Sequence, residues 1–132
     1  MKVFIDTSAF YALLDRDDEN HQKAKRMWSE FLVREHRLVT SNYVLVETFA
    51  LLQSRLGIDA VRGFQLDVVP VVAVEFVTPD LHHLGLAALL SASRRKLSLV
   101  DCVSFEVMRQ SGITLAFTFD SHFKAQGFRV AP

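Results

Sequence analysis

The sequence predicts a three-layer α/β/α domain on a mainly parallel sheet of about four to five strands, from two observations. Short apolar runs of strand length alternate with longer segments whose apolar residues recur at helical spacing, and strands separated by helices pair in parallel through crossovers with helices on both faces. The chain has 132 residues, 50% hydrophobic and 23% charged. That is enough to bury a core and too apolar for a disordered chain. With no repeat, linker or low-complexity segment, residues 1–132 read as one domain.

The elements follow in order. Lys2 to Ile5 is a first strand, ended by Asp6-Thr-Ser, residue types that favour caps and turns. Ala9, Leu13 and Leu14 continue as a short helix, and Ala24, Met27, Trp28, Phe31 and Leu32 place a second helix over His21 to Leu32. Leu38-Val-Thr is a second strand; Ser41 or Asn42 caps a helix that runs through Glu47 to about Arg55 and stops at Gly57. Asp59 opens a short helix ended near Pro70, since proline cannot continue the ladder. Val74-Glu-Phe-Val is a third strand, and Thr78-Pro-Asp starts a helix with proline at its first position. The uncharged Leu81–Ser93 segment is helical in spacing, then comes the basic Arg94-Arg-Lys. Ser98 to Arg109 is a further helix with Gly112 near its end, Ile113 to Phe119 a fourth strand, and Gly127 to Val130 a short last one.

Composition narrows the function. Lys+Arg and Asp+Glu each number 15, so no global positive field exists and a nucleic acid must be held by a local basic patch. The single cysteine, Cys102, excludes an intrachain disulfide and a cysteine zinc cluster. Leu81–Ser93 is the longest uncharged stretch, far below the roughly 20 residues that span a bilayer. The apolar run before Asp6 is only Val3, Phe4 and Ile5, so no signal-peptide core is expected, and a cytoplasmic protein without membrane contact is expected.

Four carboxylates stand in unusual places. Asp6 and Asp120 each end an apolar strand, at the carboxyl edge where parallel sheets bind ligands. Glu47 and Asp101 interrupt apolar helical stripes, Glu47 near Val44, Leu51 and Leu52, Asp101 in register with Phe105 and Met108. Burying an ionised carboxylate is costly, and four converging would repel one another. A hard divalent cation resolves that conflict, and an oxygen ligand set suits Mg²⁺ or Mn²⁺. Each residue also has a purely structural explanation. Asp6 can cap a helix, Asp120 can make an Asx turn, Asp101 fits the capping box Ser98-x-x-Asp101, and Glu47 can form a surface pair with Arg55 or another cation. Their conjunction favours the metal.

The chain resembles the PIN-domain ribonucleases, in particular the VapC-type toxins of toxin–antitoxin pairs. The resemblance rests on Val3-Phe-Ile-Asp6-Thr-Ser, Thr40-Ser-Asn-Tyr-Val-Leu-Val-Glu47, Leu97-Ser-Leu-Val-Asp101 and Thr118-Phe-Asp120-Ser-His-Phe, followed by Gly127-Phe, in that order over almost the whole length. It implies a PIN-like fold, with Asp6, Glu47 and Asp101 as central acidic residues and Asp120 as a peripheral fourth. Thr118 matches the hydroxyl of the family's Thr/Ser-x-Asp motif, and Thr7 and Ser8 are further candidates to orient ligands or water, though helix capping explains them equally. The implied chemistry is endonucleolytic RNA cleavage by metal-activated water, leaving 5′-phosphate and 3′-hydroxyl ends, with one or two ions bound. The implied partners are an RNA substrate, a cognate VapB-like antitoxin lying across the early helices with its tail at the acidic site, and a second copy of the chain in a homodimer. Arg94, Arg95 and Lys96 lead into Asp101 and are candidates to steer RNA phosphates, the alternative being an ordinary basic helix end. His122 is too isolated from Cys or other His residues to be read as a ligand, and His82-His83 read as ordinary helix residues.

A rival enzyme class and a phosphoacceptor module fit less well. A haloacid-dehalogenase-type phosphatase usually carries a second aspartate where Ser8 stands, and a receiver-like module lacks here its acidic pair and late lysine. The non-enzymatic rival is a PIN-like module that binds RNA or protein without turnover.

Overall fold

The computed structural model describes residues 1–92 and 96–132. Its five strands form one all-parallel sheet, β1 (Lys2–Ile5), β2 (Arg37–Ser41), β3 (Ala73–Glu75), β4 (Leu115–Phe117) and β5 (Arg129–Ala131), in the order β3-β2-β1-β4-β5. The predicted fold class holds. β1 is central and fully buried at Val3, Phe4 and Ile5, as a parallel strand covered on both faces must be. The fourth strand is shorter than its apolar run, with Ile113 instead accepted by the end of the preceding helix through Met108 O at 2.8 Å.

The helices are α1 (Thr7–Leu14), α2 (His21–Val33), α3 (Asn42–Leu56), α4 (Ile58–Gly63), α5 (Pro79–Ala92), α6 (Leu99–Ser111) and a short α7 (His122–Ala125). The sequence pattern does not announce α7: a single turn is too short to show periodicity. Its Phe123 is nonetheless fully buried, stacked edge-on with Phe105. After α4 the chain continues as a π-type turn at Phe64–Val68 and a 3₁₀ turn at Val69–Val71. Phe64 there packs edge-on against Phe10 and Phe49.

Local sequence explains the boundaries. Ser41, of the two cap candidates, accepts the Val44 N–H at 3.2 Å, while Asn42 accepts from Val77 N at 2.8 Å and ties α3 to the segment after β3. Gly112 ends α6 in the left-handed conformation, φ 67°, which an unbranched backbone adopts without strain. α5 packs along α6, and Gly85 is what permits it: a Cβ there would meet Val103 Cγ2 at 2.4 Å. The seating of α6, which carries Asp101, therefore depends on a missing methyl group. The Met27–Leu32 stripe of α2 is mostly core. Phe31 is buried and Met27 and Trp28, partly buried, pack against the core, but Leu32 and Val33 are exposed. No helix among the described residues is long and apolar enough to cross a membrane.

Candidate active site

Strand register assembles the centre of the site. Ile5 pairs with Phe117, so Asp6 and Thr118, each one residue past its strand, leave the sheet side by side at its carboxyl edge. Asp6 N donates to Phe117 O at 3.1 Å and Thr118 N to Ala131 O at 3.0 Å. Asp6 occupies the N-cap position of α1 but makes no side-chain cap. Its Oδ2 instead accepts from Ser8 Oγ at 2.9 Å and Thr118 Oγ1 at 3.0 Å. Both hydroxyls are already acceptors, Ser8 from Phe119 N at 2.9 Å and Thr118 from Asp120 N at 3.0 Å. Each hydroxyl has a single proton, Asp6 Oδ2 is within reach of both, and the two hydroxyls also stand 3.1 Å from each other. Among the described residues no group donates to Oδ1 of Asp6.

The other carboxylates come from separate elements. Asp101, in the first turn of α6, completes the predicted capping box: Ser98 Oγ accepts from Asp101 N at 3.0 Å and Asp101 Oδ2 from Ser98 N at 3.1 Å. Asp120 makes the Asx turn, accepting His122 N at 2.9 Å. The structural explanations of these two are thus correct, yet they do not compete with a role in the cleft, because a carboxylate has two oxygens and the local bond uses one. Glu47 does not pair with Arg55, whose guanidinium lies over the Tyr11 ring at 5.3 Å. Thr7 braces α1 against α3, accepting from Thr48 at 3.3 Å and donating to Val44 O at 3.5 Å.

All four carboxylates line one cleft of about 600 Å³ together with Thr7, Ser8, Ser98 and Lys96. Lys96 is the part of the predicted basic patch that reaches this cleft; Arg94 and Arg95 lie outside the described residues. Glu47 also borders a more apolar pocket of about 520 Å³, lined by Tyr43, Val46, His82, Leu99 and Val100, in which Tyr43 Oη meets His82 Nδ1 at 2.5 Å. No sequence spacing announces that pair, since 39 residues separate its members.

Burial and like charge dominate the electrostatics. Desolvation lifts the Asp6 carboxyl from its ordinary 3.8 to about 6, opposed by Ser8, reinforced by the charge of Asp101, opposed again by Thr118 and reinforced by Asp120. Burial also raises Glu47, with Thr7 opposing and Asp101 and Asp120 adding repulsion. It raises Asp101 too, where Asp120 repels and the Ser98 amide opposes. Such clustering is unfavourable in the metal-free chain and favourable around a hard cation. Among the described residues the group of three ligand atoms lying within 4.8 Å of one another is Asp101, Asp120 and His122. These donors fit a divalent ion. His122, set aside on sequence grounds, stands beside the carboxylates because the Asx turn at Asp120 folds it back; the Asp-x-His spacing is the signal that marks it.

The sequence profile described as PIN domain matches residues 3–129. The chain is 41% identical over 127 residues to VapC20 of Mycobacterium tuberculosis, a protein named as a 23S rRNA-specific endonuclease, covering 96% of this chain and 95% of that one. The crystal structure of VapC20, described as a sarcin–ricin loop cleaving toxin, superposes with a TM-score of 0.85 at 40% identity, over 98% of this chain and 99% of that one. FitAcB from Neisseria gonorrhoeae has the same fold at 11% identity, with a TM-score of 0.70 and coverage of 98% and 96%. PAE2754 from Pyrobaculum aerophilum does too at 20%, with a TM-score of 0.64 and coverage of 96% and 84%.

Proposed function

The chain belongs to the PIN-domain family, and from that premise we propose that it is a metal-dependent endoribonuclease of the VapC toxin type. One observation carries the reading: four carboxylates, from the residue after β1, from α3, from α6 and from the segment after β4, line a single cleft at the carboxyl edge of the sheet. A rival phosphatase reading needs an aspartate nucleophile backed by a second acid, and Ser8 stands in that place, its hydroxyl committed to Asp6.

In the proposed site Asp6 and Asp101 bind Mg²⁺ or Mn²⁺ directly, Glu47 completes or bridges the site, and Asp120 acts directly or through water. A divalent ion held by these residues would supply activated water and neutralise charge developing on the phosphodiester. Ser8 and Thr118 hold Oδ2 of Asp6 and so orient its other oxygen as a ligand. Thr118 also fixes the Asp120 backbone, and Thr7 sets the spacing of α1 and α3 on which Glu47 depends. Lys96, with Arg94 and Arg95 before it in the chain, draws RNA phosphates toward the cleft. The products carry 5′-phosphate and 3′-hydroxyl ends.

The identity to VapC20 makes the sarcin–ricin loop of 23S rRNA the first substrate to test. The Tyr43–His82 pocket beside Glu47 supports a loop substrate, because single-stranded RNA is recognised through unstacked bases laid on aromatic side chains. Two grooves flank α2, one lined by Met27, Phe119, Lys23 and Arg26, the other by Leu13, Leu14, Trp28, Arg16 and Lys25. Apolar floors with rims that are mainly basic, Glu30 being the acidic residue on the first, suit an antitoxin segment carrying apolar and acidic residues. Exposed Leu66, Phe76 and Leu84 offer apolar surface for a homodimer.

The experiment is cleavage of ribosomes and of a mixed RNA pool with Mg²⁺, Mn²⁺ or EDTA, beside the Asp6→Asn, Asp101→Asn double variant, with ends mapped by sequencing. Discrete metal-dependent cuts absent from the double variant are expected, at the sarcin–ricin loop if the substrate is shared. Cuts elsewhere would move the substrate. Metal binding and RNA binding without cuts would make the chain a binding module, and cuts surviving in the double variant would refute the site.

A further inference from the structure

We propose that His122 is itself a ligand of the divalent ion, beside Asp101 and Asp120, and that its imidazole biases the site toward manganese over magnesium. The inference rests on the nuclease reading above and deepens it by adding a nitrogen donor to a carboxylate site.

Geometry supports it first. Ligand atoms of His122, Asp101 and Asp120 lie within 4.8 Å of one another. With bonds of roughly 2.1 Å, opposite ligands of one ion stand about 4.2 Å apart, so the three atoms need only a side-chain adjustment to share it. The backbone is already in place. His122 N is bonded to Asp120 Oδ1 at 2.9 Å, and Asp120 N is held by Thr118.

The second observation is that the imidazole, though within ion-pair range of Asp120, makes no hydrogen bond among the described residues. Its Nε2 is 3.7 Å from Asp120 Oδ1, too long for a hydrogen bond. Among the described residues neither ring nitrogen is hydrogen-bonded. A half-buried imidazole parked against an aspartate on the wall of a carboxylate site has a lone pair to offer. Magnesium binds oxygen almost exclusively and keeps its water, whereas imidazole suits transition ions.

The test uses the full chain, stripped of metal and titrated with Mn²⁺ alone. Loss of the free-ion electron paramagnetic resonance signal reads affinity, pulsed resonance reads directly bound nitrogen, and Mg²⁺ affinity follows by competition. The wild type is expected to show imidazole nitrogen on manganese, with the pattern changed by ¹⁵N-histidine labelling. His122→Gln should abolish that coupling and lower Mn²⁺ affinity at least about tenfold, with Mg²⁺ affinity much less affected. The ¹⁵N-labelled wild type needs no substitution and so remains informative if a variant folds poorly. Manganese bound with no nitrogen coupling, or equal affinities in His122→Gln, would overturn the proposal and leave the carboxylate site standing. Failure of the wild type to bind either ion would overturn the metal reading as a whole.

Discussion

Replacing Asp6 by Asn should stabilise the metal-free protein while destroying its activity. Asp6 is 4% exposed and its carboxyl titrates at about 6 instead of 3.8. Between those values the native state holds a proton that the unfolded chain has lost, so stability falls as pH rises through this window. Below 3.8 the penalty is absent. Above about 6 it is complete, and a shift of this size corresponds to about 3 kcal/mol. Glu47 and Asp101 are shifted in the same direction by burial. The metal-free protein should therefore gain stability on mild acidification, opposite to the usual behaviour of paired carboxylates.

An Asn amide oxygen can accept the Ser8 and Thr118 hydroxyls as Oδ2 does, without the charge. Urea unfolding in EDTA, followed by the fluorescence of Trp28, should show Asp6→Asn more stable by up to about 3 kcal/mol near pH 7.5 and almost unchanged near pH 4. In thermal melts the neutral-pH difference is roughly 10 °C for a chain of this size. Adding Mg²⁺ should narrow the gap, since binding to the native state stabilises the wild type more. An Asn variant no more stable than wild type at neutral pH, or one stabilised equally at both pH values, would refute a strained buried carboxylate.

Two further outcomes test the supporting residues. Thr118→Val removes a donor to Asp6 and leaves the Asp120 N–H without its acceptor. It should cost about 1–3 kcal/mol and much of the cleavage rate, with Thr118→Ser restoring both in stability and kinetic assays. Lys96→Ala should weaken RNA binding with Mn²⁺ affinity intact and flatten the salt dependence, log K against log salt losing roughly 0.7 in slope, as measured by fluorescence anisotropy; an unchanged slope would remove Lys96 from the RNA path.

Much of the fold was legible because periodicity and punctuation are local. The strand at Lys2–Ile5, the caps at Ser41 and Ser98 and the stop at Gly112 each follow from a few neighbouring residues. The four acidic positions were legible for a related reason: a carboxylate at a strand end or on an apolar stripe is costly enough to stand out without knowledge of its neighbours. One turn of helix at α7 gave no such signal, since four residues carry no period.

Local sequence also could not show that one carboxylate holds two places at once. Asp101 is a capping-box residue and a wall of the cleft, and Asp120 an Asx-turn residue and another wall. The same holds for His122, which reads as isolated along the chain yet lies against Asp120 in space. The sequence by itself determined which elements form and which residues are costly to bury, because those depend on short-range spacing and on transfer from water. Only the tertiary structure decided which costly residues meet. The Ile5–Phe117 register sets Asp6 beside Thr118, and the packing of α5 on α6 through Gly85 seats the helix that carries Asp101. Those are contacts between residues far apart in the chain, and no local preference encodes them.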